Sequence, residues 1–332
     1  MLIENLPLPT SRRFAAGIDI SRRQVRLAVL SRVRQAVPVR IEWLGAASLD
    51  EGVMSGVAIV DRMAVAATLA ELLGQWPQRR SVRLLRCAMA VPGSATVLTS
   101  VPLPDVRDAS DDSSMPVLDA MAPAAAAAAE RAAGLERSAL ALDWFVEEAA
   151  RAGGAARGQR MTVAATAREH LQARVEVAAV AGVALSAVDG EPPAALRALW
   201  HTAAFELGEG VCFVALWVGS DGVYAWRIVD EVVEAHVRYP GSEYEDLAGA
   251  LHSLAGGHAP AWAVAGGELE LMAEVGFSLA DIGDLLGCSV VPFECAPFCD
   301  DGVGDAAMAP RQWRHASTFA VAFGLALRGV AE

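Results

Sequence analysis

The chain has no apolar run long enough to cross a bilayer. Its longest uncharged apolar stretches, Val177 to Val188 and Ala316 to Leu327, span about 12 residues, against the ~20 that a spanning helix needs. The start lacks the basic, apolar, small-residue succession of a secretory signal, since Glu4, Pro7 and Pro9 interrupt it. Cysteine is sparse: five residues with no even framework, which suits a reducing compartment. The expected location is therefore cytoplasmic, without direct membrane insertion. Basic charge is short too. A net charge of −13 and a pI near 5.0 exclude nucleic acid or an anionic lipid surface as the main partner. The locally basic start (Arg12, Arg13, Arg22, Arg23, Arg26, Arg32, Arg34) reads as a solvated rim. Catalytic vocabulary is missing. The six histidines are scattered, Ser94 has no G-x-S-x-G setting, and the C-x6-C-x3-C spacing of Cys288, Cys295 and Cys299 beside Asp300, Asp301 and Asp305 fits no common zinc pattern. No metal and no catalytic residue is expected.

What is present is apolar and doubled. Of 332 residues, 54% are hydrophobic and the mean hydropathy is +0.34, enough for more than one packed core. Gly17-Ile18-Asp19-Ile20-Ser21 runs into the β-prone Val25 to Leu30. Some 200 residues later, by the numbering, Val211 to Val218 meets Gly219-Ser220-Asp221-Gly222 and continues to Val229. Each is a hairpin signature. A hairpin opening each half points to an internally duplicated fold, and the habit resembles the actin-like ATPase fold, in which each of two lobes brings one hairpin to a shared phosphate site.

The order of elements gives a domain plan. Residues 1–14 form an arm; 15–95 and 159–207 make the first lobe; 96–158, with an Ala-rich helix and a strand holding Trp144 and Phe145, make an inserted α+β subdomain; 208–332 make the second lobe. Asp61 is placed to cap a helix whose Leu69, Leu72 and Leu73 face the core. Ser242 with Glu245 offers a capping box.

The marks narrow further. Gly17-Ile18-Asp19-Ile20-Ser21 with Arg26 resembles the opening of PilM, the actin-like protein of type IV pilus assembly. Ala90-Val91-Pro92-Gly93-Ser94 with Val101-Pro102-Leu103-Pro104 is similar to that family's VPGS…LP segment. Ala187-Val188-Asp189-Gly190-Glu191-Pro192, Val264-Ala265-Gly266-Gly267 and Ala322 to Gly329 follow in the family's order. The resemblance implies an α/β, ribonuclease H-like duplicated, two-lobe fold. It also implies that the family's multi-helix cap between the third and fourth strands of the second lobe, which clamps adenine in actin-like proteins, is reduced here to about 239–261.

By the same resemblance Asp19, Ser21, Arg26, Gly219, Ser220, Asp221, Gly266 and Gly267 stand where a nucleotide would bind, with ATP and Mg²⁺ as cofactors. The pattern is altered. Ser21 replaces a turn glycine, Arg26 a lysine, and Trp217, which cannot hold magnesium, an acidic residue; Glu268 follows the glycine pair and repels a phosphate. Two readings stand: a degenerate nucleotide site with little turnover, or glycines retained for tight strand–turn packing alone.

The implied role is a scaffold of the inner-membrane pilus platform, peripheral to the membrane. It would grip the N-terminal cytoplasmic tail of a PilN-like bitopic protein and meet other platform proteins. Val97, Leu98, Val101, Leu103, Leu118 and Met121 are candidate walls of the tail groove, or equally the core of the insert. The competing expectations are an active ATP-binding or polymerising actin-like protein, and the cytoplasmic part of a GspL-like secretion component, which continues into a membrane span.

Overall fold

Near-continuous apolar runs become central strands covered on both faces. In the computed structural model, which describes residues 12–33, 38–77, 85–103, 117–146, 160–207, 210–241, 247–256, 260–299 and 315–331, those runs build two five-stranded sheets. In chain order the elements begin with β1 (Arg13–Ile20), β2 (Gln24–Arg32), β3 (Arg40–Ser48), the short β4 (Met54–Ser55) and β5 (Ala58–Ile59), α1 (Arg62–Gln75) and β6 (Arg86–Val91). A 3-10 turn at Gly93–Ala95 leads to β7 (Thr96–Pro102), α2 (Val117–Ala133), β8 (Leu140–Val146), β9 (Arg160–Ala167), α3 (Arg168–Val180), β10 (Leu185–Gly190) and α4 (Glu191–Leu207). The second half holds β11 (Phe213–Gly219), β12 (Gly222–Val229), β13 (Val232–Pro240), α5 (Leu247–Ala255), β14 (Trp262–Gly267), α6 (Glu270–Glu274), α7 (Leu279–Leu286), β15 (Ser289–Pro292) and the closing α8 (Ala320–Ala331).

The first sheet has the order β3-β2-β1-β6-β10 and the second β13-β12-β11-β14-β15. Both begin with three antiparallel strands joined by hairpins, and the first strand then pairs parallel with the fourth. The duplication expected from two hairpins is therefore present strand for strand, as an actin-like fold.

The helices are exchanged between halves. α8, from the end of the chain, packs on β1 and β2 of the first sheet, while α4 packs on β11 and β14 of the second; the two helices also pack on each other. Their contact is made by small residues. A Cβ on Gly17 would overlap the Ala322 carbonyl oxygen, and a Cβ on Gly324 would overlap that of Ala194. One hydrophobic core runs from Ala15 and Ala28 through Ala326, Phe323, Ala194 and Ala198 to Ala215 and Val264. Asp189, at the end of β10, takes Arg197 of α4 at 3.0 Å and Arg328 of α8 at 3.3 Å, fastening both helices to the first sheet.

Local signals hold where they are described. Asp61 caps α1 by accepting from the Ala64 N–H at 2.9 Å, and Leu69, Leu72 and Leu73 are buried. Between β13 and β14 the described element is the nine-residue α5; Ser242 and Glu245 lie outside the described residues.

Residues 91–175 form a second compact unit. Its sheet has the order β7-β9-β8, all antiparallel, with α2 on one face. The boundary read from sequence moves here. β9 was expected in the first lobe, but it is the central strand of this smaller sheet. Met161, Val163 and Ala165 alternate inward onto Met121, Ala125 and Ala129 of α2, a period of two that marks a half-covered strand rather than one buried on both faces.

Because the α8–β1 and α8–α4 contacts leave no room for a side chain, Gly17→Ala and Gly324→Ala are each expected to cost about 1–3 kcal/mol or more in urea unfolding. Gly74 lies inside α1 with open space around its Cβ position. Gly74→Ala is expected to be neutral or stabilising by up to ~1 kcal/mol.

Candidate functional site

The β1–β2 register sets Asp19 directly opposite Arg26, and facing residues of an antiparallel pair share one side of the sheet. Ser21 closes the turn. Its N–H donates to the Gln24 carbonyl at 2.9 Å and its Oγ accepts from the Gln24 N–H at 3.2 Å. Asp19 is 2% exposed, and its Oδ2 accepts from Arg26 Nη1 at 3.2 Å; Arg26 Nη2 donates to Glu268 Oε1 at 2.9 Å. Glu268 follows β14, so this ion pair joins the turn end of the first sheet to that of the second. Burial by itself disfavours the Arg26 charge. The charge of Asp19 and the hydrogen bond and charge of Glu268 outweigh it, and the guanidinium pKa is raised. The chain contains no lysine; a planar guanidinium serves two carboxylates at once in a way a point-charge ammonium does not.

Glu268 is aimed by a tight turn. Gly267 has φ +93°, and a Cβ there would overlap the Val218 carbonyl oxygen. The Glu268 N–H donates to that same oxygen at 2.8 Å, and Ser317 Oγ donates to the Gly267 carbonyl at 3.1 Å. A Cβ on Gly266 would crowd Leu199 and Ala320.

The second hairpin turn is built around Trp217. Gly219 pairs with Gly222, leaving Ser220 and Asp221 as a two-residue hairpin loop. The buried Trp217 ring covers Gly219 and reaches Gly267, and its centroid is 5.2 Å from that of Tyr224. The Tyr224 hydroxyl donates to Asp221 Oδ2 at 2.8 Å, and Arg238 lies 3.7 Å from the same oxygen. Burial, and then the charge of Asp221, push the Tyr224 phenol far up. Ser220 is exposed.

The eight turn residues thus fall into two clusters rather than one cradle: Asp19 and Arg26 with Glu268, and Gly219, Ser220 and Asp221 with Trp217 and Tyr224. Ser21, Gly266 and Gly267 serve turn closure and close packing. Sequence reading treated Glu268 only as a repulsive neighbour. Its partner is 242 positions away, and no local pattern announces the pairing.

In the smaller unit, Met121 is 1% exposed in the core, with Val101 and Leu103 packed against that core. Met121 is an interior residue of the unit, whereas Val101 and Leu103 are partly buried at its edge. Val97, opposite Ala165, is half-buried; Leu118 lies on α2, with its side chain outside the described residues. Leu98 is different. It is 49% exposed, sits opposite Ala164, and shares the face away from α2 with Phe145, opposite Thr162 and 59% exposed. Phe145 was read only as a strand residue.

Cys295 is buried, and burial pushes its thiol up; Cys87 is pushed up to about 12 for the same reason. Cys299 Sγ donates to the Cys295 carbonyl at 3.5 Å. Asp300, Asp301 and Asp305 lie outside the described residues. Among the described residues no helix is long and apolar enough to cross a membrane.

No protein-family model matches the chain, and no curated protein matches it. Among solved structures it is similar to a PilM–PilN type IV pilus biogenesis complex, at 19% identity and TM-score 0.72, over 95% of this chain and 98% of that one. It also matches the ethanolamine utilization protein EutJ from Carboxydothermus hydrogenoformans at 15% identity and TM-score 0.42, over 96% and 91% of the two chains. A third match is the cytoplasmic domain of EpsL, an inner membrane component of the type II secretion system of Vibrio cholerae, at 12% identity and TM-score 0.42, over 77% and 82%. The first of these shows a PilM-like fold along nearly the whole chain.

Removing Arg26 takes the guanidinium from two carboxylates, one of them buried. Arg26→Ala is expected to cost about 3–5 kcal/mol in chemical unfolding. Glu268→Gln keeps the Asp19 pair and is expected to cost less, about 1 kcal/mol, because Glu268 is partly exposed. Equal losses from the two variants would contradict a buried pair reinforced from the second lobe.

Proposed function

We propose that the chain is a scaffold of a type IV pilus inner-membrane platform, holding the N-terminal cytoplasmic tail of a PilN-like membrane protein, and that its nucleotide cleft is closed by an internal ion pair. The observation that carries the first part is the match to PilM–PilN along both chains nearly end to end, in agreement with motifs that keep that family's order from residue 17 to residue 329.

The second part rests on the cleft. A Mg²⁺–phosphate site needs carboxylate oxygens available to the metal and backbone N–H groups aimed at phosphate oxygens. Here Asp19 Oδ2 and Glu268 both face Arg26, the Ser21 N–H is spent on Gln24, and the Glu268 N–H on Val218. Trp217 fills the space over the second turn, and Asp221 is engaged by Tyr224. These residues do not fit ATP with magnesium, and no hydrolytic step is assigned to them. In this reading the protein is a pseudo-ATPase.

An extended apolar tail needs apolar side chains in the open, since buried ones contribute nothing to an encounter. Leu98 and Phe145 are such residues, on the two outer strands and on the face of the smaller sheet away from α2. They are our candidates for the tail contact, in place of the buried Met121.

Two measurements test the halves separately. A synthetic PilN-type tail peptide bearing Asn-Leu-Leu-Pro is expected to bind, and Leu98→Asp or Phe145→Asp to weaken it at least about tenfold, with stability changed by no more than ~0.5 kcal/mol. No binding to the unmutated chain removes the scaffold reading; unchanged affinity in both variants removes this contact face. Isothermal titration with Mg-ATP is expected to give no saturable heat, and micromolar binding with phosphate release overturns the closed cleft.

A further inference from the structure

The face of the smaller sheet away from α2 carries its exposed groups at the corners of a rectangle. Register sets two neighbouring rows across β7, β9 and β8 on that face: Leu98, Ala164 and Asp143 in one, Ser100, Thr162 and Phe145 in the other. The outer strands stand about 10 Å apart and the rows about 7 Å apart. Leu98 and Phe145, 49% and 59% exposed, occupy one diagonal. Asp143 holds one corner of the other diagonal, and the guanidinium of Arg160 is drawn to the last. Its Nε donates to Ser100 Oγ at 2.9 Å and its Nη2 to the Ser100 carbonyl at 2.7 Å. Between the corners lie Ala164 and Thr162, small side chains that keep the middle low.

Both charges are exposed, and neither meets an opposite one among the described residues. Arg160 donates to neutral oxygens, and Asp143 Oδ1 accepts from the Trp144 N–H at 2.9 Å. A guanidinium has about five donors and a carboxylate about four acceptor positions, so each keeps capacity for a partner. A face with one charge of each sign, set on either side of an apolar diagonal, is complementary to a copy of itself. Turning a second face over about the line from Leu98 to Phe145 lays Leu98 on Leu98 and Phe145 on Phe145. It also brings each Arg160 close to Asp143 of the second copy, across a gap of about 4 Å that the arginine's length covers. The strands of the two copies then cross at about 70°, toward the orthogonal class of sheet packing. A ligand of single charge satisfies one corner and is repelled at the other.

We propose that this face docks a second copy of the chain, through two Arg160–Asp143 ion pairs about an axis along Leu98 and Phe145. The sheet measures roughly 14 by 23 Å, about 300 Å² in plan, below the ~800 Å² that each partner of a stable complex buries. The contact is therefore transient and forms at high local concentration. It uses the face assigned above to the tail contact, so tail and second copy are alternative occupants. The proposal does not rest on the tail reading.

Sedimentation velocity on the full chain without peptide, over a wide concentration range, is expected to show reversible monomer–dimer exchange. Arg160→Asp leaves two acids on the face and Asp143→Arg two bases. Each alone is expected to weaken dimerisation at least about tenfold, since like charges then face each other. Mixing the two variants is expected to restore a dimer of unlike chains, and both substitutions in one chain to restore self-association. An unmutated chain that stays monomeric at every concentration overturns the proposal. So does a dimer indifferent to both charge variants, or a pair of variants that does not recover on mixing. Circular dichroism checks each fold. Should a charge variant misfold, Phe145→Ala decides, by weakening the dimer at least about tenfold or by leaving it unchanged and refuting the contact. With no peptide present, failure here is distinct from failure of the tail reading.

Discussion

Two helices crossing at backbone-to-backbone distance set the geometry of the larger unit. α4 and α8 meet through Ala194 and Gly324, and α8 meets β1 through Ala322 and Gly17. Each helix comes from one half of the chain and covers the sheet of the other. No side chain long enough to yield stands at either contact, so strands and helices are fixed to one another with the density of a protein interior. The consequence is one core shared by both sheets, beside a further core on the other face of the second sheet, with each hairpin turn carried at the end of a strand that the shared core holds.

That rigidity gives the ion pair its meaning. A carboxylate and a guanidinium taken out of water carry a desolvation cost that only good geometry and the added charge of the partly exposed Glu268 offset. The geometry comes from elements placed for other reasons: a hairpin register that opposes Asp19 to Arg26, and a positive-φ glycine that turns Glu268 toward them. In the reading proposed, Arg26 meets Asp19 as a divalent cation would, and Glu268 meets Arg26 as a phosphate would. The cleft then needs neither ligand to neutralise its charges. The tryptophan over the second turn acts in the same sense, replacing a space with a packed ring.

Much of this was legible from the chain. The two hairpins and their turns stand in the sequence because apolar runs broken by Ser-Arg-Arg or Ser-Asp-Gly admit few other conformations. The cap at Asp61 and its three inward leucines followed from helical spacing. Even the glycines were legible as packing residues, although which helix they seat was not, since that depends on the exchange of α4 and α8. Glu268 was misjudged because its partner lies in the other half of the chain. β9 falls within the span 159–207 assigned to the first lobe, although its Met-Thr-Val-Ala-Ala-Thr alternation carries the signal of the half-covered strand that it is. The inward turn of Met121 was one of two open readings, and the pairing register of β7 with β9 separates Val101, opposite Met161, from the outward Leu98.

The exposed apolar residues bear on function more than the buried ones do. A protein of net charge −13 is kept in solution by its own repulsion, and apolar side chains left in water have no structural return. Leu98 and Phe145 stand on the two outer strands of a sheet face that the smaller unit's own helix does not cover, since its core is already closed by the alanines of α2. The same face carries one charge of each sign, because Asp143 stands in the row of Leu98 and Arg160 bonds Ser100 in the row of Phe145. An apolar ligand laid across it therefore meets two separated apolar side chains flanked by charges, so that position as well as hydrophobicity decides what it holds.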